Sequence, residues 1–521
     1  MLSNEARSLD DPVFPIDTPE HAGELSEKIW GASLAQARDS QVYANGLLWY
    51  YRDFIDAFVI SLSYFLDVES RRILEYPPAQ TIMDYTKLLL LNQQLALRAL
   101  KSSISTVGQY YIPRYHEITD SWLNTAFSRD GRDIAELFTE RERLMEKVVY
   151  EYPEAIRNIR SEYGFHFDQA GYRKAGETDR FLLYQVLPSH GDVSVRQDAK
   201  PMIIIPPFVL GTNILAFLPG ENKSFVHAFA NKGIPTYIRI AKNIWTIPAF
   251  QVMTGEDDAR DTRYFAEIVK KSHGKPITLC GYCQGGFTSL CGLLSGELDD
   301  LADTLITCVS PMDGTRSPGL SSFLQSLPPR FNDLAYGTKT LPNGNKVGDG
   351  KLMGWVYKLR AINDEFPLIS FYRDMVMLST NGRPREKFNK TALAINYWLS
   401  YERTDLPLEI TTMSFRSYNI PITSDGTLPV RLFDRKLNLR RMQEKGYRWL
   451  ICYGERDDLV EKETALAPQD FIDVEVTGFP KGHLAIATSW SNPKSEFSLD
   501  KRFGENNVRG PVLFQLEIDQ S

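Results

Sequence analysis

The spacing of apolar residues changes character about a third of the way along the chain. Up to about residue 165, Leu, Ile, Tyr and Phe recur at intervals of three and four, as in 47–66 and 82–100, which predicts amphipathic helices. From about Phe181 onward, short β-branched runs alternate with helix-like segments. This alternation predicts a mostly parallel sheet with crossover helices on both faces, an α/β fold.

The predicted strands are short apolar runs, and they lie at 181–186, 202–205, 235–240, 304–309, 449–453 and 471–476, with one more leading into residue 283. Helices are predicted over about 222–231 and 256–272. The second of these begins with Thr254 and Asp257 at capping-box spacing and has acidic residues in its first turn.

About 140 residues separate the predicted strands at 304–309 and 449–453. A connection of that length is too long for a loop in a compact domain, so we interpret it as an inserted cap over the carboxyl edge of the sheet. The predicted domain organisation has four parts, namely an N-terminal helical region at 1–165, a first part of the core at 166–309, the cap at 310–446 and a second part of the core at 447–521.

Composition narrows the class of protein. With 521 residues, 43% hydrophobic residues and a net charge of -7, the chain is long enough for a large core and has no long basic run, which argues against a nucleic acid partner. Five scattered cysteines favour neither a disulfide framework nor a zinc site and indicate a reducing compartment. No leader sequence and no apolar window of roughly 18 residues is present, so we expect a cytoplasmic protein without a transmembrane segment or metal.

The stretch PITLCGYCQGGF at 276–287 places an apolar run, glycines and a cysteine in strand-turn-helix order. This pattern is typical of a nucleophile elbow with Cys283 at its tip and Gly281 and Gly285 two positions to either side. The turn would place Cys283 at a helix N-terminus, where the thiolate is favoured. The alternative is a buried structural cysteine beside a glycine turn.

A cysteine nucleophile needs a histidine base and usually a carboxylate that orients it. The α/β-hydrolase fold requires the chain order nucleophile, acid, histidine. His483 is the one histidine after Cys283, and it lies in a loop after the last predicted core strand. The loop after 449–453 supplies Asp457 as the candidate acid, with Asp458 as the alternative. Paired acids in a loop are often only solvated, and a lone histidine is often structural.

An oxyanion hole in this fold uses two backbone amides. We predict that the first belongs to Gln284, directly after the nucleophile, and that the second belongs to Phe208 or Val209 in the loop after 202–205.

These motifs together resemble those of the poly(3-hydroxyalkanoate) synthase family. The resemblance covers about residues 179–490 and is carried by Pro206, Pro207, Phe208, Ile214, Leu215, Pro219, Gly281, Cys283, Gly285, Gly286, Tyr397, Trp398, Asp405, Leu406, Pro407, Asp457, Gly482 and His483. The chain departs from the family pattern around the active-site floor and the cap. These departures are the run Leu210–Asn213, Ala216, Leu399 and Asp458.

The resemblance implies an α/β-hydrolase catalytic domain with a Cys283, His483 and Asp457 triad. It implies an acyltransferase that takes 3-hydroxyacyl groups from coenzyme A thioesters through an acyl-cysteine and forms polyester, with no cofactor. The N-terminal region would then assist homodimerisation or association with polymer granules. Two alternatives stay open, a Cys/His/Asp ester or lactone hydrolase, and a non-catalytic scaffold that binds granules or a partner protein.

Overall fold

A computed structural model describes residues 19–127, 129–332, 334–354, 366–380 and 382–520. These residues form two compact units. The helical unit comprises the described residues within Met1–Phe58, Gln93–Arg157 and Ala361–Asn389. The sheet unit comprises those within Val59–Asn92, Asn158–Arg360 and Lys390–Ser521. The predicted N-terminal region and the predicted cap each contribute residues to both units.

An eight-stranded sheet organises the sheet unit. Its strands are β1 Tyr172–Glu177, β2 Phe181–Val186, β3 Met202–Ile205, β4 Thr236–Ala241, β5 Ile277–Tyr282, β6 Ala302–Cys308, β7 Arg448–Gly454 and β8 Glu475–Phe479. Their order across the sheet is β1-β2-β4-β3-β5-β6-β7-β8. The pairs β1-β2 and β2-β4 are antiparallel and the remaining pairs are parallel. This topology is that of an α/β-hydrolase, which confirms the predicted fold class.

The helices occupy the connections between strands and the N-terminal third of the chain. They are α1 Pro19–Arg72, α2 Pro78–Ala126, α3 Ile134–Glu146, α4 Tyr152–Asn158, α5 Phe225–Ala230, α6 Pro248–Gln251, α7 Gly255–His273, α8 Gln284–Ser295, α9 Leu320–Ser326, α10 Pro367–Met377, α11 Lys390–Tyr401, α12 Leu408–Asn419, α13 Arg440–Glu444, α14 Lys462–Ala465 and α15 Pro511–Gln520. The capping box predicted at the start of α7 is present. The side chain of Thr254 accepts a hydrogen bond from the backbone amide of Asp257, and the side chain of Asp257 accepts one from the backbone amide of Thr254.

Smaller strands lie outside the main sheet, mostly in the segment predicted as a cap. Lys346–Gly348 is the central strand of a three-stranded sheet and pairs with Thr338–Thr340 on one side and Leu406–Pro407 on the other. The other strands form pairs, namely Ser379–Thr380 with Arg383–Pro384, Thr427–Leu432 with Arg435–Asn438, and Arg502–Phe503 with Val508–Arg509. The hairpin over 427–438 packs on α8, and Arg435 donates to the carbonyl of Ser295 at the C-terminal end of that helix.

One predicted strand has the wrong bounds, and one strand of the main sheet was not predicted. The strand predicted at 471–476 begins only at Glu475, because Phe471 and Ile472 contribute to the core from the preceding loop and mimic the apolar pattern of a strand. The edge strand β1 was missed because its residues are half-buried or exposed and show no apolar run. Residues 1–18 of the predicted helical region lie outside the described residues.

In the helical unit, aromatic residues of α1 pack on α10. The ring of Phe371 makes edge contacts with Tyr43 and Tyr50 at centroid distances of 5.4 and 5.5 Å. The Tyr50 hydroxyl donates to Asp374 at 2.6 Å, and burial raises the pKa of that carboxyl to about 6. Aromatic residues of α1 therefore pack against other parts of the same chain.

Candidate active site

The turn between β5 and α8 carries Cys283 in a backbone conformation that a non-glycine residue rarely adopts. Its φ and ψ are 51° and -124°, and its backbone amide donates to the carbonyl of Cys308 on β6 at 2.8 Å. Such strain persists only where the surrounding structure enforces it, and it is concentrated at functional sites. The geometry is that of a nucleophile elbow, with Cys283 only 8% exposed.

Three glycines allow strand and helix to pass this closely. A Cβ at Gly281 would lie 2.2 Å from the Cα of Gly286, and one at Gly285 would lie 2.2 Å from the carbonyl oxygen of Ile205. A Cβ at Gly286 would lie 2.0 Å from the hydroxyl of Ser310. Real Cβ atoms do not approach other atoms so closely, so each position excludes a side chain for a steric reason.

We expect Gly285→Ala to destabilise the protein by about 3 kcal/mol or more, because the new methyl group would collide with rigid backbone rather than with a mobile side chain. The measurement is the free energy of unfolding in urea. Gly220→Ala is the matched control, since nothing lies within 4 Å of a Cβ there, and its effect should stay within about 0.5 kcal/mol. Equal stabilities of the two variants would contradict the close packing at the elbow.

The candidate acid, Asp457, lies in the loop after β7. One carboxylate oxygen of Asp457 accepts from the backbone amides of Leu459 and Val460, both at 2.9 Å. The other oxygen lies 2.8 Å from Nδ1 of His483. Asp458 is exposed and contributes nothing to this arrangement. Of the two acids considered from the sequence, the structure brings Asp457 to the histidine.

The loop after β8 carries His483, which is 6% exposed. The hydroxyl of Tyr282, the last residue of β5, donates to the backbone carbonyl of His483 at 2.6 Å and ties this loop to the elbow. Nδ1 faces Asp457. Nε2 is buried, and no described residue meets both the distance and the angle criteria for a hydrogen bond with it. Hydrogen bonds in catalytic groups are often incomplete before substrate binds.

The charge environment of His483 favours the imidazolium ion. Burial lowers its pKa, but the negative charges of Asp457 and Cys283 outweigh burial and raise the pKa from 6.5 to about 10. A histidine whose pKa rises on folding contributes stability that is fully present below pH 6.5 and is lost as pH rises through about 10. We therefore expect the imidazolium form of His483, flanked by Asp457 and the cysteine sulfur, at neutral pH.

Nitrogen NMR of labelled imidazole rings tests this assignment. We expect His483 to be protonated at pH 7, whereas His227 should be neutral because burial, aided by the charge of His190, lowers its pKa to about 4. Asp457→Asn removes one of the two charges and should shift the titration of His483 to lower pH. A midpoint near 6.5 for His483 in the unaltered protein would contradict the assignment.

The predicted oxyanion residues are only partly brought together. Gln284 is the first residue of α8, and its backbone amide has no acceptor among the described residues. Val209 lines the same cavity as Cys283 and Gln284. The side chain of Phe208 belongs instead to the core, and this residue lines a separate cavity of about 370 Å³. Of the two residues, Val209 is the one that lines the cavity of Cys283, and the second donor stays predicted as Phe208 or Val209.

Two residues of the predicted cap hold the loop that follows β3. The indole nitrogen of Trp398 donates to the carbonyl of Leu210 at 2.8 Å, and the hydroxyl of Thr404 donates to the carbonyl of Phe208 at 2.7 Å. A third contact joins the elbow to α12, where the side-chain amide of Gln284 donates to Ser414 at 2.6 Å. Sequence reasoning missed the roles of Thr404 and Ser414, since neither stands in a recognisable motif.

Cys283 opens on an apolar cavity of about 160 Å³. Its lining is mostly aliphatic and aromatic, and Leu459 and Val460 bring the acid loop to its wall. Predominantly apolar cavities with a few converging polar groups are typical of small-molecule sites. In the described parts of the chain, no group of three or more His, Cys, Asp or Glu side chains is arranged to hold a metal ion. Nor does any described helix combine the length and apolar character needed to cross a bilayer.

Fold and site together define an α/β-hydrolase fold with a Cys-His-Asp arrangement at its nucleophile elbow. No protein-family model matches the chain, and no curated protein matches its sequence.

Solved structures that resemble the chain include a carboxylesterase from Nitrososphaera gargenis, with 12% identity, a TM-score of 0.34, and coverage of 61% of this chain and 92% of that one. Naproxen esterase from Bacillus subtilis has 10% identity, a TM-score of 0.30, and coverage of 66% and 93%. Monoacylglycerol lipase from Paleococcus ferrophilus has 12% identity, a TM-score of 0.29, and coverage of 55% and 88%. The fold class is assigned from the strand order of the main sheet.

Proposed function

We propose that the protein is a cysteine-dependent acyl-transfer enzyme that forms an acyl-Cys283 intermediate from an ester or thioester. The observation that carries this proposal is the buried Asp457-His483 hydrogen bond beside a strained Cys283 at the mouth of an apolar cavity. Residues that only stabilise a fold have no need of this combination of strain, buried charge and open space.

In the first half of the reaction, the Cys283 thiolate attacks the acyl carbonyl and forms a C–S bond. The negative charge that develops on the carbonyl oxygen is stabilised by the backbone amide of Gln284 and by that of Phe208 or Val209. The intermediate collapses with cleavage of the bond to the leaving group, which takes the proton from Nε2 of His483. The products are a neutral histidine, an acyl-cysteine and a free alcohol or thiol, and the reaction balances without a cofactor.

In the second half, the neutral histidine accepts a proton from the acceptor hydroxyl. Acylation has removed the charge on the cysteine sulfur, so one of the two charges that raise the pKa of His483 is absent at this step. The acceptor oxygen attacks the thioester, the C–S bond breaks, and the thiolate and imidazolium return. With water as the acceptor the enzyme is an ester hydrolase, for which the site needs no further group.

In a second candidate function, the acyl donor is a coenzyme A thioester and the acyl acceptor is the hydroxyl of a 3-hydroxyacyl unit. This function is favoured by the hydrogen bonds of Trp398 and Thr404 to the loop at Phe208 and Leu210, which join two of the regions that carry the resemblance to polyhydroxyalkanoate synthases. A cap held on that loop helps to exclude water from the acyl-cysteine. With this acceptor the resemblance implies a cytoplasmic homodimer associated with granules.

Rapid mixing with p-nitrophenyl butyrate and with 3-hydroxybutyryl coenzyme A tests the proposal. We expect a burst of released p-nitrophenol or thiol equal in amount to the enzyme, followed by slower turnover. Butyric acid as the product identifies a hydrolase, whereas oligomeric ester from the thioester identifies the second candidate. Release of leaving group from neither donor, with the protein folded, would refute acyl transfer and support the scaffold alternative.

A further inference from the structure

The tip of the hairpin formed by α1 and α2 lies in the sheet unit rather than the helical unit. The tip comprises Val59–Asn92. Phe65 on α1 and Leu88 on α2 line the cavity that contains Cys283. A segment that is distant from the catalytic motifs in the sequence therefore supplies part of the wall of the candidate active site.

An aromatic cluster fixes the tip to this wall. The ring of Phe65 lies 5.3 Å from Phe331 and 5.0 Å from Tyr336, measured between centroids. Tyr85 approaches Phe331 at 5.1 Å, and Val68 is buried in the same cluster. Phe331 and Tyr336 also line the cavity. The contacts that hold the tip are thus the same groups that shape the cavity.

A buried arginine reinforces the contact. Arg330 is 5% exposed and donates to Glu69 and, at 3.1 Å, to the hydroxyl of Thr81, both of which belong to the tip. Its guanidinium also stacks over the ring of Tyr76 at 4.3 Å. Glu69 accepts a further hydrogen bond from the Tyr336 hydroxyl. Movement of the tip away from Arg330 would leave a buried charge without its partner, which is strongly unfavourable. The ion pair therefore holds the tip in one position against the cavity.

The size of the cavity sets a limit on what it accepts. A volume of about 160 Å³ is close to that of an engineered apolar cavity of about 150 Å³ that binds benzene. An acyl chain that is wholly enclosed by it is therefore short unless a wall recedes. Of the walls, Phe65 and Leu88 present large apolar side chains from a segment that carries none of the proposed catalytic residues.

We propose that the hairpin tip determines acyl chain length, with Phe65 and Leu88 as the residues that set the longest chain accepted at Cys283. This inference rests on the proposed acyl transfer and specifies its substrate as short-chain acyl esters or thioesters. Truncation of either side chain lengthens the cavity, and enlargement of Leu88 shortens it. The apolar lining supplies the binding energy for each methylene that fits.

The experiment compares kcat/KM for p-nitrophenyl esters from acetyl to dodecanoyl. Phe65→Ala and Leu88→Ala should raise the ratio of long-chain to short-chain kcat/KM by about tenfold or more, since one methylene in an apolar pocket is worth about that factor. Leu88→Trp should change the ratio in the opposite direction. The matched control is Leu89→Ala, because Leu89 is 68% exposed and does not line the cavity.

The inference would be overturned if the ratio of long-chain to short-chain kcat/KM stayed at its wild-type value in Phe65→Ala, Leu88→Ala and Leu88→Trp while Cys283 was still acylated. A shift in Leu89→Ala equal to that in Leu88→Ala would overturn it as well, because the effect would then be independent of the cavity wall. Absence of acylation by every ester in the unaltered protein is a different result, which overturns the proposed function itself. Circular dichroism of each variant identifies loss of fold, and Phe65→Leu then replaces Phe65→Ala with the same expected direction.

Discussion

We expect Cys283→Ala to lower kcat for ester or thioester cleavage by about a thousandfold or more. Removal of a nucleophile from a triad costs nearly as much as removal of all its members, because the groups act as a unit. The oxyanion donors and the cavity stay in place, so substrate should still bind. The expected signature is loss of kcat with little change in KM, measured with p-nitrophenyl butyrate under steady-state conditions.

Cys291→Ala serves as the control for this prediction. Cys291 is fully buried in α8, two turns after the nucleophile, and it does not line the cavity. Its removal should leave kcat within severalfold of the original value. Comparable losses in the two variants would show that the effect comes from damage to α8 and would contradict a nucleophilic role for Cys283.

The second large effect is expected for Asp457→Asn, which should lower kcat by about a thousandfold to ten-thousandfold. An asparagine occupies the same space, but its amide cannot hold the histidine in the required tautomer or stabilise the imidazolium ion. In this protein the Asp457 charge is also one of the two charges that raise the pKa of His483. The pH profile of kcat should therefore change together with its magnitude.

The neighbouring residue provides a closely matched control. Asp458 is exposed, whereas Asp457 is buried against His483 at 2.8 Å. Asp458→Asn removes the same charge from the same loop and should leave kcat and its pH profile almost unchanged. If Asp458→Asn caused the larger loss, the assignment of the acid from the structure would be wrong.

The sheet and the elbow could be predicted because their signals are local. Alternating apolar runs reveal buried strands, and GYCQGG at 281–286 contains the glycines that close packing of β5 against α8 requires. The order of Cys283, Asp457 and His483 along the chain then matched the order that this fold demands. The structure shows that Asp457 is buried and Asp458 is exposed. This difference cannot be read from the sequence, because the two residues are identical and adjacent.

The cavity wall could not be predicted, because it depends on contacts between distant segments. Nothing near Phe65 or Leu88 indicates that they would lie beside residue 283, and Arg330 carries no motif that relates it to Glu69. The same reason applies to Thr404, whose hydroxyl holds the loop at Phe208. Strand β1 was missed for a different reason, because an edge strand half-exposed to solvent has little apolar pattern.

The proposed mechanism requires Cys283 to carry the acyl group during turnover. Acid quenching of the enzyme during reaction with p-nitrophenyl butyrate, followed by peptide mass spectrometry, tests it most directly. We expect a butyryl group on the peptide that contains Cys283, present in the unaltered protein and absent in Cys283→Ala. A butyryl group on another residue, or turnover without any covalent adduct in the pre-steady state, would contradict it.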